Sequence, residues 1–204
     1  MRKFIFTLFI TLLPLFCMAQ SQESIIRQIE QVSSATKSVE CSFVQTKHVK
    51  LLNDKMVSYG KMYYSAPSLL RWEYTSPYTY TFILNQHQVL LKSAQRQDVV
   101  DVNNSKMFKE IVRLMMSSVV GSCLSDDTTF DVSIASVGNE WVATLLPLRR
   151  DMKQMWSRLV VHFNRSNQSV VKVEMYEPSG DYTIIELSNI RRNATIDGKL
   201  FSIN

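Results

Sequence analysis

The sequence predicts a mainly β protein with helices (α+β), built on one curved antiparallel sheet with its helices on one face. Three observations carry that expectation. About ten short stretches alternate apolar and polar residues at a period of two and are joined by tight turns. Two other stretches, one early and one midway, switch to a helical period. The third is residues 60–77, GKMYYSAPSLLRWEYTSP, which write two strands joined at Ala66-Pro67 and closed by Ser76-Pro77. Met62 and Tyr64 share one face of the first, and Leu70, Trp72 and Tyr74 share one face of the second. The opposite faces carry Lys61, Tyr63, Leu69, Arg71, Glu73 and Thr75, so one side is greasy and aromatic and the other wetter. Such a face is either a closed core or a concave wall left open to a ligand, and this stretch alone leaves both readings standing.

In chain order, residues 1–19 (MRKFIFTLFITLLPLFCMA) read as a secretory leader. Arg2-Lys3 is its basic start, Phe4 to Phe16 its apolar core, and Cys17-Met18-Ala19 a small-x-small ending, so cleavage is expected after Ala19. The run falls short of the roughly 20 apolar residues of a membrane span. Lipidation of Cys17 is disfavoured by bulky Phe16 before it. Residues 20–204 are expected to form a single domain. Ser21 can cap a helix over 22–36 whose apolar stripe is Ile25, Ile26, Ile29 and Val32, with Glu23 placed to suit the dipole. Strands are expected over 39–50, with Val39, Cys41 and Phe43 on one face, and over 55–64, after a turn at Asn53-Asp54. Further strands follow at 69–75, 79–85, 89–92 and around Val99, Val100 and Val102. Tyr80, Phe82 and Leu84 alternate along the fourth.

The pattern changes at Asn103. A helix is expected from Asn104 or Ser105 through Met116, with a wide, Met-rich apolar face of Met107, Phe108, Ile111, Val112, Leu114, Met115 and Met116. Residues 117–124 read as a second short helix ending near Gly121. Strands resume with Phe130, Val132 and Ile134, turn at Gly138-Asn139 and return over 141–146. Residues 147–155 read as a basic connection, 158–164, 170–177 and 182–190 as a meander, and 200–203 as a last edge strand.

Composition and motifs exclude several function classes. The 204 residues carry a formal charge of +5, which falls to +3 without Arg2 and Lys3 and is evenly spread, so nucleic acid is not expected as a partner. No GxSxG, Walker loop or GxGxxG is present. Asp126-Asp127 reads as a solvated pair, and His48 has nothing nearby in sequence to orient it as a base. Arg149-Arg150 and Arg191-Arg192 read as solubilising pairs, with an anionic lipid or acidic partner as the other reading. Cys41 and Cys123 have no CxxC spacing, and His48, His87 and His162 are far apart, so neither metal nor catalytic chemistry is expected. A bridge between the two cysteines stays open.

Residues 42–85, SFVQTKHVKLLNDKMVSYGKMYYSAPSLLRWEYTSPYTYTFILN, then carry a resemblance. Phe43-Val44-Gln45, Gly60 with the strand after it, Pro67, the Leu70-Arg71-Trp72-Glu73-Tyr74 run and Pro77 resemble the periplasmic outer-membrane lipoprotein carriers of the LolA family. The likeness covers the N-terminal half in detail and the C-terminal half in layout. It implies an open half-barrel with helices lidding the concave face. The cavity of such a protein holds lipoprotein acyl chains. Cargo comes from an inner-membrane ABC transporter and passes to an outer-membrane acceptor, without a cofactor, nucleotide or enzymatic step, and the carrier acts as a monomer in the periplasm of a Gram-negative bacterium.

With the parity of consecutive strands, this makes Met62, Tyr64, Leu70, Trp72, Tyr74, Tyr80 and Phe82 the expected acyl-chain wall. Met107, Phe108, Ile111, Val112 and Met115 become the expected lid. One position departs from the pattern. Ala66 stands where well-studied carriers have an arginine that holds the lid shut, and Arg71, of opposite parity to Trp72, does not take over that role. The alternative reading is a lipid- or lipoprotein-sensing module on the same fold without transfer, and a lipid hydrolase is a more distant third.

Overall fold

The computed structural model describes residues 21–104, 109, 112, 116–117 and 121–203. Helix α1 (Gln22–Ala35) starts where Ser21 caps it, its side chain accepting a hydrogen bond from the Ser24 amide. Eleven strands follow: β1 (Ser38–Val49), β2 (Asp54–Ser65), β3 (Leu69–Ser76), β4 (Tyr80–Asn85), β5 (Gln88–Ser93), β6 (Gln97–Asp101), β7 (Phe130–Val137), β8 (Glu140–Pro147), β9 (Arg158–Asn164), β10 (Val170–Tyr176) and β11 (Tyr182–Arg192). A second helix, α2 (Arg150–Met155), lies between β8 and β9.

All eleven strands form one antiparallel sheet in the order β6-β5-β4-β3-β2-β1-β11-β10-β9-β8-β7. The sheet does not close, and this is the half-barrel the resemblance implies. The two edges, β6 and β7, are consecutive in sequence. The connection over residues 102–129 must therefore cross from one edge to the other. Among its described residues, Val102 and Val112 are buried on the inner face with the N-terminal strands, and Cys123 and Leu124 with the C-terminal ones.

Two apolar clusters fill the inner face. In the C-terminal half, Ile25 and Ile29 of α1 pack on Trp141, Ala143, Leu145, Leu159, Val161 and Phe163. In the N-terminal half the cluster is built from β1 to β5 and meets the other at Leu187 of β11. A third cluster lies on the outer face, where Phe201 covers Ile83 and Leu90. The free edge of β7 is capped by α1 itself. The Gln22 side-chain amide donates to the Val132 carbonyl (2.9 Å) and accepts from the Ile134 amide (3.1 Å), filling backbone positions that would otherwise template another strand.

Two expectations need correction. Residues 147–155 are not merely a connection: 150–155 form α2, because Met152 anchors it at 1% exposure while Arg149 and Asp151 pair at its start. The basic sequence hid a helix that rests on one buried side chain. The C-terminus is not a strand. Asp197 caps a short helical turn, Gly198–Phe201, by accepting from the Lys199 amide, and the turn drives Phe201 into the outer cluster. Gly121 precedes a helical turn, Ser122–Ser125, while residues 118–120, where the expected short helix would run up to it, lie outside the described residues. Its φ of +84° and the Phe163 ring 2.6 Å from where a Cβ would stand explain why glycine is needed there.

Candidate functional site

Register turns the period-two reading of β2 to β5 into a surface. Cys41 pairs with Met62, Met62 with Trp72, Trp72 with Phe82 and Phe82 with Leu91, forming one row across five strands. A second row runs Val39, Tyr64, Leu70, Leu84, Val89. A third runs Phe43, Gly60, Tyr74, Tyr80. All seven expected wall residues thus lie on the inner face of the sheet.

They are not equally covered. Met62, Tyr64, Leu70 and Trp72 are buried, whereas Tyr74, Tyr80 and Phe82 are only half-buried. The wall is therefore closed at the β2–β3 turn and opens towards the β3–β4 loop. Of the expected lid residues, Val112 is buried against this wall, with Met116 packed beside it. Met107, Phe108, Ile111 and Met115 lie outside the described residues.

The closed part is ordered by aromatic packing. Phe43 stacks on Trp72 at 4.2 Å between ring centres and meets Tyr74 edge-on at 5.3 Å. Gly60 makes this possible. A Cβ at residue 60 would stand 2.3 Å from the Phe43 ring and 2.2 Å from the Glu73 carbonyl oxygen, so the ring lies where any side chain would be. At the open part, the Tyr74 hydroxyl donates to the Gln45 amide oxygen at 2.9 Å. Burial holds the Tyr64 and Tyr74 hydroxyls above the usual tyrosine range. Burial, assisted by Asp98, does the same for Tyr80. These hydroxyls stay neutral at physiological pH, so the wall presents neutral aromatic surface with a few fixed polar atoms.

Sequence reasoning missed Phe43, Gln45, Gly60, Leu84, Val89 and Leu91 as parts of this wall. The signal for Leu84, Val89 and Leu91 was the same parity carried one turn further. For Gly60 and Phe43 nothing in either strand alone announces that a ring from one fills the gap in the other.

Arg71 lies on the outer face, as its parity requires. It pairs with Glu73 at 2.9 Å and donates to the Leu200 carbonyl at 3.3 Å, so it holds the C-terminal turn. Cys41 and Cys123 form no disulfide and are buried in different clusters. Among the described residues no group of three or more His, Cys, Asp or Glu is placed to hold a metal ion. At the seam between the clusters, Val32, Val39, Leu187 and Ile190 surround a cavity of about 10 Å³, barely room for one water.

The fold is an open antiparallel half-barrel with an aromatic inner wall. Residues 34–204 match the family model of the outer membrane lipoprotein carrier protein LolA, and the chain belongs to that family. The outer-membrane lipoprotein carrier protein of Methylococcus capsulatus is 20% identical over 199 residues, covering 96% of this chain and 92% of its own. The carrier protein of Legionella pneumophila strain Lens is 23% identical over 198 residues, covering 97% and 94%. Among solved structures, the MucA/MucB complex of Pseudomonas aeruginosa contains a chain that superposes with a TM-score of 0.55 at 10% identity, covering 87% of this chain and 60% of that one. The lipoprotein LppX of Mycobacterium tuberculosis gives 0.50 at 12% identity, covering 87% and 99%. At these identities the structures share the fold alone.

Proposed function

We propose that this protein is a periplasmic carrier that binds lipoprotein acyl chains on the inner face of its N-terminal half and shuttles them from the inner to the outer membrane. The observation that carries this is the wall graded from buried Leu70 and Trp72 to half-buried Tyr74, Tyr80 and Phe82, in a chain of the LolA family. Each methylene moved from water onto such a wall contributes about 0.8 kcal/mol, so affinity needs no covalent step. The wall is filled by its own side chains and by Val112, so admitting a chain requires the segment over 102–129 to move off it. Release then requires a partner that competes for the lipid, because the protein couples to no energy source of its own. In this reading residues 1–19 are the export signal, the mature chain is a single domain that acts as a monomer, and the donor and acceptor are the ABC transporter and outer-membrane acceptor of the family.

Phe82→Glu tests the site. Phe82 is half-buried at the open part of the wall, so the variant is expected to stay folded. Binding of a fluorescent fatty-acyl probe should weaken by at least about tenfold, because an unpaired carboxylate would have to be desolvated against the chain. Unchanged probe binding would show that the acyl chain lies elsewhere. Extraction of an acylated lipoprotein from vesicles, followed by its delivery to an acceptor, separates a carrier from a lipid- or partner-sensing module on the same fold. A sensor would bind and not deliver.

A further inference from the structure

The β1–β2 hairpin runs past the end of β3, while on its other side β11 flanks β1 as far as His48. β3 stops pairing with β2 at Tyr59, so residues 54–58 have no partner strand on that side. At the apex, Lys50–Leu52 form a helical turn closed by Asn53 in the left-handed region. Leu51 is 92% exposed and Leu52 69%, more than any other large apolar side chain among the described residues. Further down β2 Met56 and Tyr59, on opposite faces of the strand, and Tyr78 of the β3–β4 loop are also exposed. Apolar side chains scattered singly on a surface need no explanation, but two adjacent leucines at one apex do.

The apex is built and held. The Lys50 amide donates to Asp181 of the β10–β11 turn at 3.0 Å, and the Asn53 amide donates to the Lys50 carbonyl at 3.2 Å. The leucines are therefore presented by an ordered turn, and less ordering entropy remains to be lost on binding.

Behind the leucines comes a polar collar. Lys47 pairs with Glu177 at 3.4 Å, while among the described residues Lys50 and Lys55 make no ion pair. With Asp54 and Asp181, the collar holds three lysines and three carboxylates, so it has no net charge to seek out an acidic macromolecule. Lysine stems can lie along apolar surface with their ammonium groups in the headgroup layer, and tyrosines favour that same depth. From apex to base the hairpin thus carries leucines, then lysines, then Tyr59 with Tyr78 near it, an order that suits a segment entering a membrane interface.

The apex also connects to the wall. Met56, Ser58 and Gly60 continue the inner-face parity of Met62 and Tyr64 along β2. The Tyr78 hydroxyl is 3.5 Å from the Ser58 hydroxyl, and the Tyr78 ring is 5.6 Å from Tyr74 at the open part of the wall.

From this juxtaposition we infer that the β1–β2 hairpin tip enters the boundary between headgroups and acyl chains of a phospholipid bilayer, presenting the open end of the wall to the membrane. The second half of this statement rests on the carrier reading; the insertion itself does not. A convex apex of two leucines with no net charge around it suits a bilayer better than a protein surface, which would need a cleft to receive it.

The test is flotation of the mature protein with vesicles of phosphatidylcholine, with and without phosphatidylglycerol. The parent should float with both and keep floating at high salt, because apolar contact and not net charge drives the binding. The double variant Leu51→Ser/Leu52→Ser should partition at least about tenfold more weakly. It should also keep its thermal midpoint and its affinity for a soluble acyl probe. Leu148→Ser, which removes an exposed leucine elsewhere, should float like the parent.

A parent that does not float, or a double variant that floats as well as the parent, overturns the inference. So does a photocrosslinker at residue 51 that captures only a membrane protein and no lipid. Leucine-dependent flotation of a parent that binds no acyl probe would keep the tip and remove the carrier reading. Probe binding without flotation would do the reverse.

Discussion

In the C-terminal half of the inner face, Ile25 and Ile29 of α1 close over Leu145, Val161 and Phe163, and Met152 of α2 seals the margin. Every one of these side chains is at most 3% exposed. In the N-terminal half there are six strands to the other half's five, yet Tyr74, Tyr80, Phe82 and Leu91 remain half-buried. The difference lies in the cover. The C-terminal cover is a helix capped at Ser21 and tied to the β7 edge through Gln22. Over the N-terminal half, the described cover is Val112 and Met116, part of the connection from β6 to β7. One sheet thus carries a stretch sealed by α1 and, at the open end of the N-terminal wall, a half-covered aromatic stretch, while Val132, Ile134, Val173 and Met175 in the C-terminal half are also only partly buried. The lesson is that residue type does not separate core from binding wall; the cover does.

The sharpest way to break this comparison is inside the N-terminal half. Leu70 is 0% exposed at the closed part of the wall, so Leu70→Glu forces a carboxylate into apolar surroundings without a partner. A loss of about 4 kcal/mol or more is expected, enough to unfold a marginal domain, whereas Phe82→Glu at the open part should cost much less. Denaturant unfolding of the two variants side by side checks this, and equal losses would mean that the wall is uniformly core. Ile29→Ala probes the other half. Its side chain is fully buried, and a loss of about 2–5 kcal/mol is expected with acyl-probe affinity unchanged for the molecules that stay folded. Lost affinity in a folded Ile29→Ala protein would show that the C-terminal half also holds lipid.

The smallest effect is a pH dependence. Burial first, and the Glu40 carboxylate second, push the Cys41 thiol up to about 12. An unfolded thiol titrates near about 8.5. The folded protein therefore holds this proton more tightly, and the contribution is present in full below about pH 8.5 and lost as pH rises towards about 12. Buried tyrosines add to the same slope above about pH 10. Unfolding free energies from pH 8 to 11 should fall less steeply for Cys41→Ala than for the parent, once the constant packing difference is subtracted. A disulfide-exchange reagent should likewise find neither Cys41 nor Cys123 until the protein unfolds. Parallel curves, or fast native labelling, would place Cys41 nearer solvent.

The class of fold was readable in the chain, because a period of two survives wherever a strand has one apolar face. The same parity put Met62, Tyr64, Leu70, Trp72, Tyr74, Tyr80 and Phe82 on one face before any register was known, since consecutive hairpins with short turns keep that face common. Helix α1 was readable from its cap and its isoleucine stripe. The short elements were not. α2 rests on a single anchor, Met152, and the C-terminal turn on Phe201; one buried residue sets up no periodicity.

Tertiary structure alone decided the rest. Pairing of β1 with β11 joins the two halves and leaves β6 and β7 as opposite edges, which sends the connecting segment from one edge to the other. It brings Phe43 of one strand into the space left by Gly60 of the next. It also determines how far each wall residue is covered, which no strand encodes by itself, because burial belongs to what packs on top and not to the side chain beneath.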